Sequence, residues 1–473
     1  MKTYNNIFKS ILSLSLLVVV TSCSIDDIKP INQLTEENAI RDTESAQTIL
    51  NGVYDLGREF DVSNFPLYLA GLGNEGRILS NGLSGSQGYN TNEVPVENRY
   101  LTNLYNGLYK IINLSNFLIE ELEAGKAVDI SETKKGEMIS EAKFQRAFTY
   151  FNLLRYFGQF YDVDSNYGVV LRTEFAKELT TQSRNSVQDV YILIQSDLQY
   201  AVANGPVDVE HFYSGSLAAK ALLAKVELYL NNFGTAAILA QEVINNGEGY
   251  ALEADYNSIF QNSFNSSEVI WAPLTGPGAE GGTQMDLIAR TTFSENLRSL
   301  ADAQVGLADD GDLTEAGSGY DPRFNFAYAD DNQGQNQQGK YPFGSLAGSQ
   351  NNTIYHLRMG EIYLIHAEAE ARRQGGDLDA ALESLNAIRT RAGVDGKMLS
   401  DKASLLEDIR QEKLLELFFE NGEPWFDLVR YDVLGNLDAS VIKPTLTSVD
   451  KFILPIASQI MIGNKNIVQN PGY

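Results

Sequence analysis

Residues Ala224–Ile244 read AKVELYLNNFGTAAILAQEVI, and residues Ala367–Arg389 read AEAEARRQGGDLDAALESLNAIR. Each is a helical pattern, a short turn containing Gly, and a second helix that opens on two alanines. From Ala224 to Ala237 is 13 positions and from Ala367 to Ala381 is 14, so the turn is one residue longer in the second copy. Small residues on both helices let such a pair pack closely, which is the logic of tetratricopeptide-like hairpins. Two copies this far apart do not make a continuous solenoid. They predict a mostly α fold in which repeat-like helix pairs are built into one larger domain, with insertions between them.

Beyond these hairpins the helical period continues. NLYNGLYKIINLSNFLIEEL places Leu104, Leu108, Ile111, Ile112, Leu114 and Leu118 mainly on one stripe. ISEAKFQRAFTYFNLLRYFG repeats the pattern and stops at Gly158, and SVQDVYILIQSDLQYAVANGP starts at a capping Ser186 and ends at Gly205-Pro206. SSEVIWAP and KFILPI are the few short strand candidates. Two stretches have the composition of long loops, Gly71 to Asn98 and Thr275 to Asn352, rich in Gly, Asn, Gln and Asp with scattered aromatics. Long loops in compact domains are commonly functional or disordered.

The amino terminus has its own pattern. Residues 1–22 carry Lys2 and Lys9, no acid, and an apolar run from Ile11 to Val20, short of the roughly 20 residues that span a bilayer. This predicts a signal peptide over 1–22. Val20-Thr21-Ser22-Cys23 also fits a bacterial lipobox, in which the thiol of Cys23, the only cysteine, is acylated. A lone Cys has no internal disulfide partner, and several acyl chains give stable anchoring. Without residues 1–22 the net charge of −26 becomes −28, since two lysines and no acids are lost. Such a surface repels nucleic acid and anionic lipid.

No constellation for catalysis stands out. The three histidines, His211, His356 and His366, form no HxxxH or HExxH pair, and neither GxSxG nor a phosphate loop is present. With 62 acidic residues a carboxylate pair can be picked anywhere, so that signal is empty. No catalytic residue, metal site or cofactor is expected.

Taken in order, these segments resemble the SusD/RagB family of Bacteroidetes outer-membrane lipoproteins. The resemblance is carried by RAFTYFNLLRYFG, RNSVQDVYILIQSDLQYAV, the central hairpin with YNSIFQNSFNSSEVIWA, YDPRF, LRMGEIYLIHAEAEAR, IRQEKLLELFFENGEPWFDLVRY and the closing NPGY. Ser24-Ile25-Asp26-Asp27 is similar to an acidic export signal for the outer face of the outer membrane. The resemblance implies a single SusD-like domain over 23–473, its N-terminal part to about 270 and its C-terminal RagB/SusD part from about 271. It implies tetratricopeptide-like helix pairs with a loop-rich ligand face and few short strands. It implies no enzyme, but a surface lipoprotein that captures oligosaccharides for a SusC-like TonB-dependent transporter; a RagB-type peptide binder and, further off, a surface glycoside hydrolase are the alternatives. Trp425, Phe426, Asp427 and Arg430 are expected to tie the C-terminal helix into the scaffold.

Within that resemblance the two loops form the ligand face. Sugar recognition needs flat aromatics for the C–H side of a ring, with polar groups for the hydroxyls. The first loop offers Asn74, Glu75, Arg77, Tyr89, Asn90 and Tyr100. The second offers Arg298, Tyr320, Arg323 and Tyr341, with Arg290, Phe326, Tyr328 and Phe343 beside them. Trp271 is expected in the core and Trp425 in the scaffold, so Tyr must do the stacking. The acidic chain leads to the expectation of a neutral glycan.

Overall fold

The protein is described by a computed structural model covering residues 36–78, 88–178, 180–274, 291–305, 321–323, 339–341 and 353–473. The chain divides into two units, Met1–Ile40 and Arg41–Tyr473. The described part of the first is one short helix, Glu36–Ala39. All other described elements belong to the second.

Its longer helices are α1 (Thr43–Arg58), α2 (Arg99–Glu123), α3 (Glu132–Phe157), α4 (Val187–Asn204), α5 (Ser216–Tyr229) and α6 (Phe233–Ile244), then α7 (Tyr256–Asn262), α8 (Glu295–Val305), α9 (Met359–Arg372), α10 (Leu378–Arg391), α11 (Lys402–Leu417) and α12 (Glu423–Val433). Their ends are fixed by side chains that satisfy the free amides of the first turn. Asp42 and Ser45 form a reciprocal capping box on α1. Ser131 caps α3, and Ser186 caps α4 by accepting from the Asp189 amide at 3.0 Å. Gly158 and Gly205 close α3 and α4.

The two hairpins of the sequence are α5/α6 and α9/α10, and α9 packs against α6. The helices therefore succeed one another in space, each of α2 to α6 on the next and then α9 and α10, although a long insertion separates α6 from α9 in sequence. One core cluster runs from Phe65 to Ile467 and includes Phe144, Phe151, Leu222 and Trp425. A second joins α9, α10 and α11 through Leu364, Leu385 and Ile409.

Strands β1 (Gly76–Ile78), β2 (Val269–Trp271), β3 (Thr291–Phe293) and β4 (Leu357–Arg358) form two antiparallel pairs, β1 with β3 and β2 with β4. KFILPI is not a strand. Its start closes a 3-10 turn, Val449–Phe452, and its amides go to other partners: Leu454 donates to the Tyr156 carbonyl at 2.8 Å and Ile456 to the Gln469 side chain. The run is apolar because Phe452 to Ala457 is buried against the end of α3, not because it joins a sheet.

Buried ion pairs weld the later elements. Arg430 pairs with Glu368 at 2.7 Å and with Asp427 at 2.6 Å, fixing α12 on α9. Glu423 receives Arg155 and Lys225; burial opposes its charge, but the two cations win and hold it at about 2. Among the described residues no helix is long and apolar enough to cross a membrane, and no group of three or more His, Cys, Asp or Glu is placed to hold a metal ion.

Candidate functional site

The first polar loop is built on a layer of aromatic rings. The 3-10 segment Phe65–Gly71 supplies Phe65 and Tyr68, which pack on Tyr89 with centroids 6.3 and 5.4 Å apart. Tyr68 also lies 5.7 Å from Tyr100, at the first turn of α2. The backbone turns tightly here: a Cβ on Gly71 would meet the Asn90 side-chain oxygen at 2.8 Å. Asn90 clasps Ile78 on both sides, accepting from its amide at 2.9 Å and donating to its carbonyl at 2.6 Å. That clasp holds β1, from which Arg77 projects into solvent.

The sequence-predicted residues separate at this point. Tyr100 is half-buried, with Arg99 stacked 5.1 Å above its ring, and Arg77 on β1 is exposed. Asn90 is half-buried and spends its amide on Ile78. Arg298 is half-buried on α8. Tyr320 and Cys23 lie outside the described residues, as do Arg290, Phe326, Tyr328 and Phe343.

Five others are framework, which corrects the sequence reading. Tyr89 has no exposed surface and sits in the aromatic layer. Tyr341 is buried and donates to the Phe419 carbonyl at 2.7 Å. Arg323 is fully buried and bonds Asp321, Glu412 and Glu416. Asn74 is buried, its carbonyl accepting from the Ser294 hydroxyl. Glu75 is buried and accepts from the Phe419 amide at 2.6 Å; burial pushes its pKa up to about 8, against that bond and nearby Lys340, so it keeps its proton at neutral pH. None of the five presents a face on which a sugar could stack or a group that a hydroxyl could reach.

The electrostatics of this face differ from those of the whole chain. Arg77 has no acid partner among the described residues. Close by, Lys443 donates to the Gly71 carbonyl at 2.8 Å. Burial, and then the charge on Arg77, push Lys443 down to about 8. Two cations thus share the loop face of an acidic protein.

A second concavity was not foreseen. A cavity of about 220 Å³ opens between α1, α2 and α3, with Trp271 of β2 and His356 in its wall. Trp271 is 3% exposed and belongs to the core cluster, as expected, but its ring also faces this space. The lining comes from segments scattered between Asn51 and Asn421. No local motif joins them, so no sequence signal announced it.

Comparison with known proteins agrees with this architecture. The family described as "SusD family" matches residues 332–473, and that described as "Starch-binding associating with outer membrane" matches residues 26–229. "SusD-like protein P2" of Formosa agariphila is 28% identical over 97% of this chain and 98% of its own. A crystal structure of a SusD superfamily protein from Bacteroides thetaiotaomicron superposes with a TM-score of 0.74 at 23% identity, over 90% of this chain and 99% of that one. A "Laminarin binding SusD-like protein" superposes with a TM-score of 0.69 at 24% identity, over 92% and 100%.

Proposed function

Because the chain belongs to the SusD/RagB family, we propose that it is a lipid-anchored protein of the outer-membrane surface that captures a neutral glycan and passes it to a SusC-like TonB-dependent transporter. Capture takes place on the first-loop face, and Cys23 carries the lipid. The observation that carries this reading is Tyr100: a half-buried aromatic ring, backed by Tyr68 and flanked by Arg99, at the end of the loop that also carries exposed Arg77. A ring held from behind loses little freedom when a sugar stacks on it, and the guanidinium groups reach hydroxyls. The descriptions of the matching family and of the laminarin-binding neighbour support a glycan as the ligand class. The protein acts by binding and delivery, without chemistry on the glycan.

Peptide capture is the second reading, favoured by one observation. Arg77 and Lys443 together offer positive charge that a peptide carboxylate would take. Native electrophoresis through gels containing laminarin, starch or xylan tests the first reading: retardation in at least one gel is expected. Unretarded migration in all of them, with binding to an acidic peptide mixture, would favour the second.

A further inference from the structure

We propose that the cavity between α1, α2 and α3 is a second ligand site, separate from the loop face, which takes one neutral, flat, mainly apolar ring with a single acceptor atom, a phenol in its simplest form. Size sets the first limit. An apolar cavity of about 150 Å³ is known to hold one benzene ring, and this one measures about 220 Å³. The wall sets the second. Phe148 meets Trp271 edge-on at 4.8 Å, and His356 stacks on Trp271 at 4.7 Å. The His356 ring is bonded through Nδ1 to the Asn421 side chain at 3.0 Å, and burial holds its pKa down at about 4, so His356 is uncharged at neutral pH.

The polar groups of the lining then choose between a sugar and an aryl ring. Several are already engaged. The Tyr54 hydroxyl donates to Glu141 at 2.6 Å, the Thr149 hydroxyl to the Gln145 carbonyl at 2.6 Å, and the Asn152 oxygen accepts from Arg155 at 2.6 Å. A sugar ring would bring several hydroxyls into this space and strand them, each at a cost of a few kcal/mol. Two buried donors of the lining residues have no hydrogen-bond partner among the described residues, Gln145 Nε2 and Trp271 Nε1. One acceptor oxygen on an otherwise apolar ring matches that inventory. At the mouth, Arg58 donates to the Leu274 carbonyl at 2.6 Å and pairs with Asp55, linking α1 to the residues after β2.

The chain has only two tryptophans, which gives the test a local reporter. Trp425→Phe leaves Trp271 as the sole emitter, and p-cresol is the probe. Saturable change in Trp271 emission is expected. Calorimetry with p-cresol on the unmodified chain gives an independent reading should Trp425→Phe fail to fold. Ser63→Leu and Leu108→Phe, each filling the cavity from a different side, should weaken p-cresol binding by at least about tenfold, while methyl β-glucoside leaves Trp271 emission unchanged in every variant. No saturable p-cresol binding, undiminished binding in folded filled variants, or binding of the glucoside in its place would each overturn the proposal.

Discussion

Tyr89 and Tyr100 come from the same polar loop, and the structure gives them opposite tasks. Tyr89 is sealed in the aromatic layer, and Tyr100 keeps part of its ring at the surface. Composition cannot separate them, because burial depends on which distant residue closes over each ring. The same holds for Tyr341, whose partner is the Phe419 carbonyl. Tyr89→Ala and Tyr341→Ala should lower stability by about 3–5 kcal/mol, the usual cost of removing a buried aromatic ring, read by denaturant unfolding; a loss near zero would contradict their burial. Glu75 carries a pH prediction. Its folded pKa of about 8 lies above the ordinary carboxyl value of 4.5, so its contribution is fully present below 4.5 and is lost as the pH rises through 8. Glu75→Gln removes that loss. Its melting temperature should exceed the wild type by a margin that widens between pH 4.5 and 8, and parallel pH profiles would show that Glu75 titrates normally.

At the scale of elements, helices were legible where caps and apolar period coincide. Ser186 and Gly205 bound α4 where the pattern placed them. α3 begins earlier than its apolar stripe, at Glu132, because Ser131 caps a first turn that is polar throughout. The hairpins were legible from small residues and turn chemistry, but their contact across the insertion was not, since nothing local encodes it. The insertion itself is tied down by charge. Arg323 and Lys340 reach α11 and the residues after it, where Glu412, Glu416 and Glu420 receive them. Glu416 also takes Arg358 and Arg391. Burial opposes the charge on Glu416, but the three guanidinium groups hold its pKa well below the carboxylate range. Glu416→Gln would leave them facing too little negative charge. It should cost about 3–5 kcal/mol of stability, and a cost below about 1 kcal/mol would mean that the network is solvated and dispensable.

For the whole molecule, fold and family were readable because many modest motifs recur in one order along the chain. The site was readable only as a region. Of the proposed residues, long-range packing leaves Arg77 exposed and Tyr100 half-buried. Anchoring belongs to this scale as well. Cys23→Ala should release the protein from the outer membrane fraction, and protease added to intact cells should remove the wild type; protection from protease would argue against surface display. A tagged protein extracted in detergent should bring a large β-barrel with it.

Charge and stacking meet in one titration. Calorimetry with neutral laminarin-type and starch-type oligosaccharides, on the wild type and on Tyr100→Ala, at low and at high salt, tests whether the loop face is a neutral-glycan site. Saturable binding to one series is predicted, almost unchanged by salt, because a stacked neutral ring has no counterion to lose. Tyr100→Ala should weaken it by roughly tenfold, about 1.4 kcal/mol, with its fold intact. Binding that collapses with salt, or that Tyr100→Ala leaves untouched, would contradict a neutral-glycan site on this face.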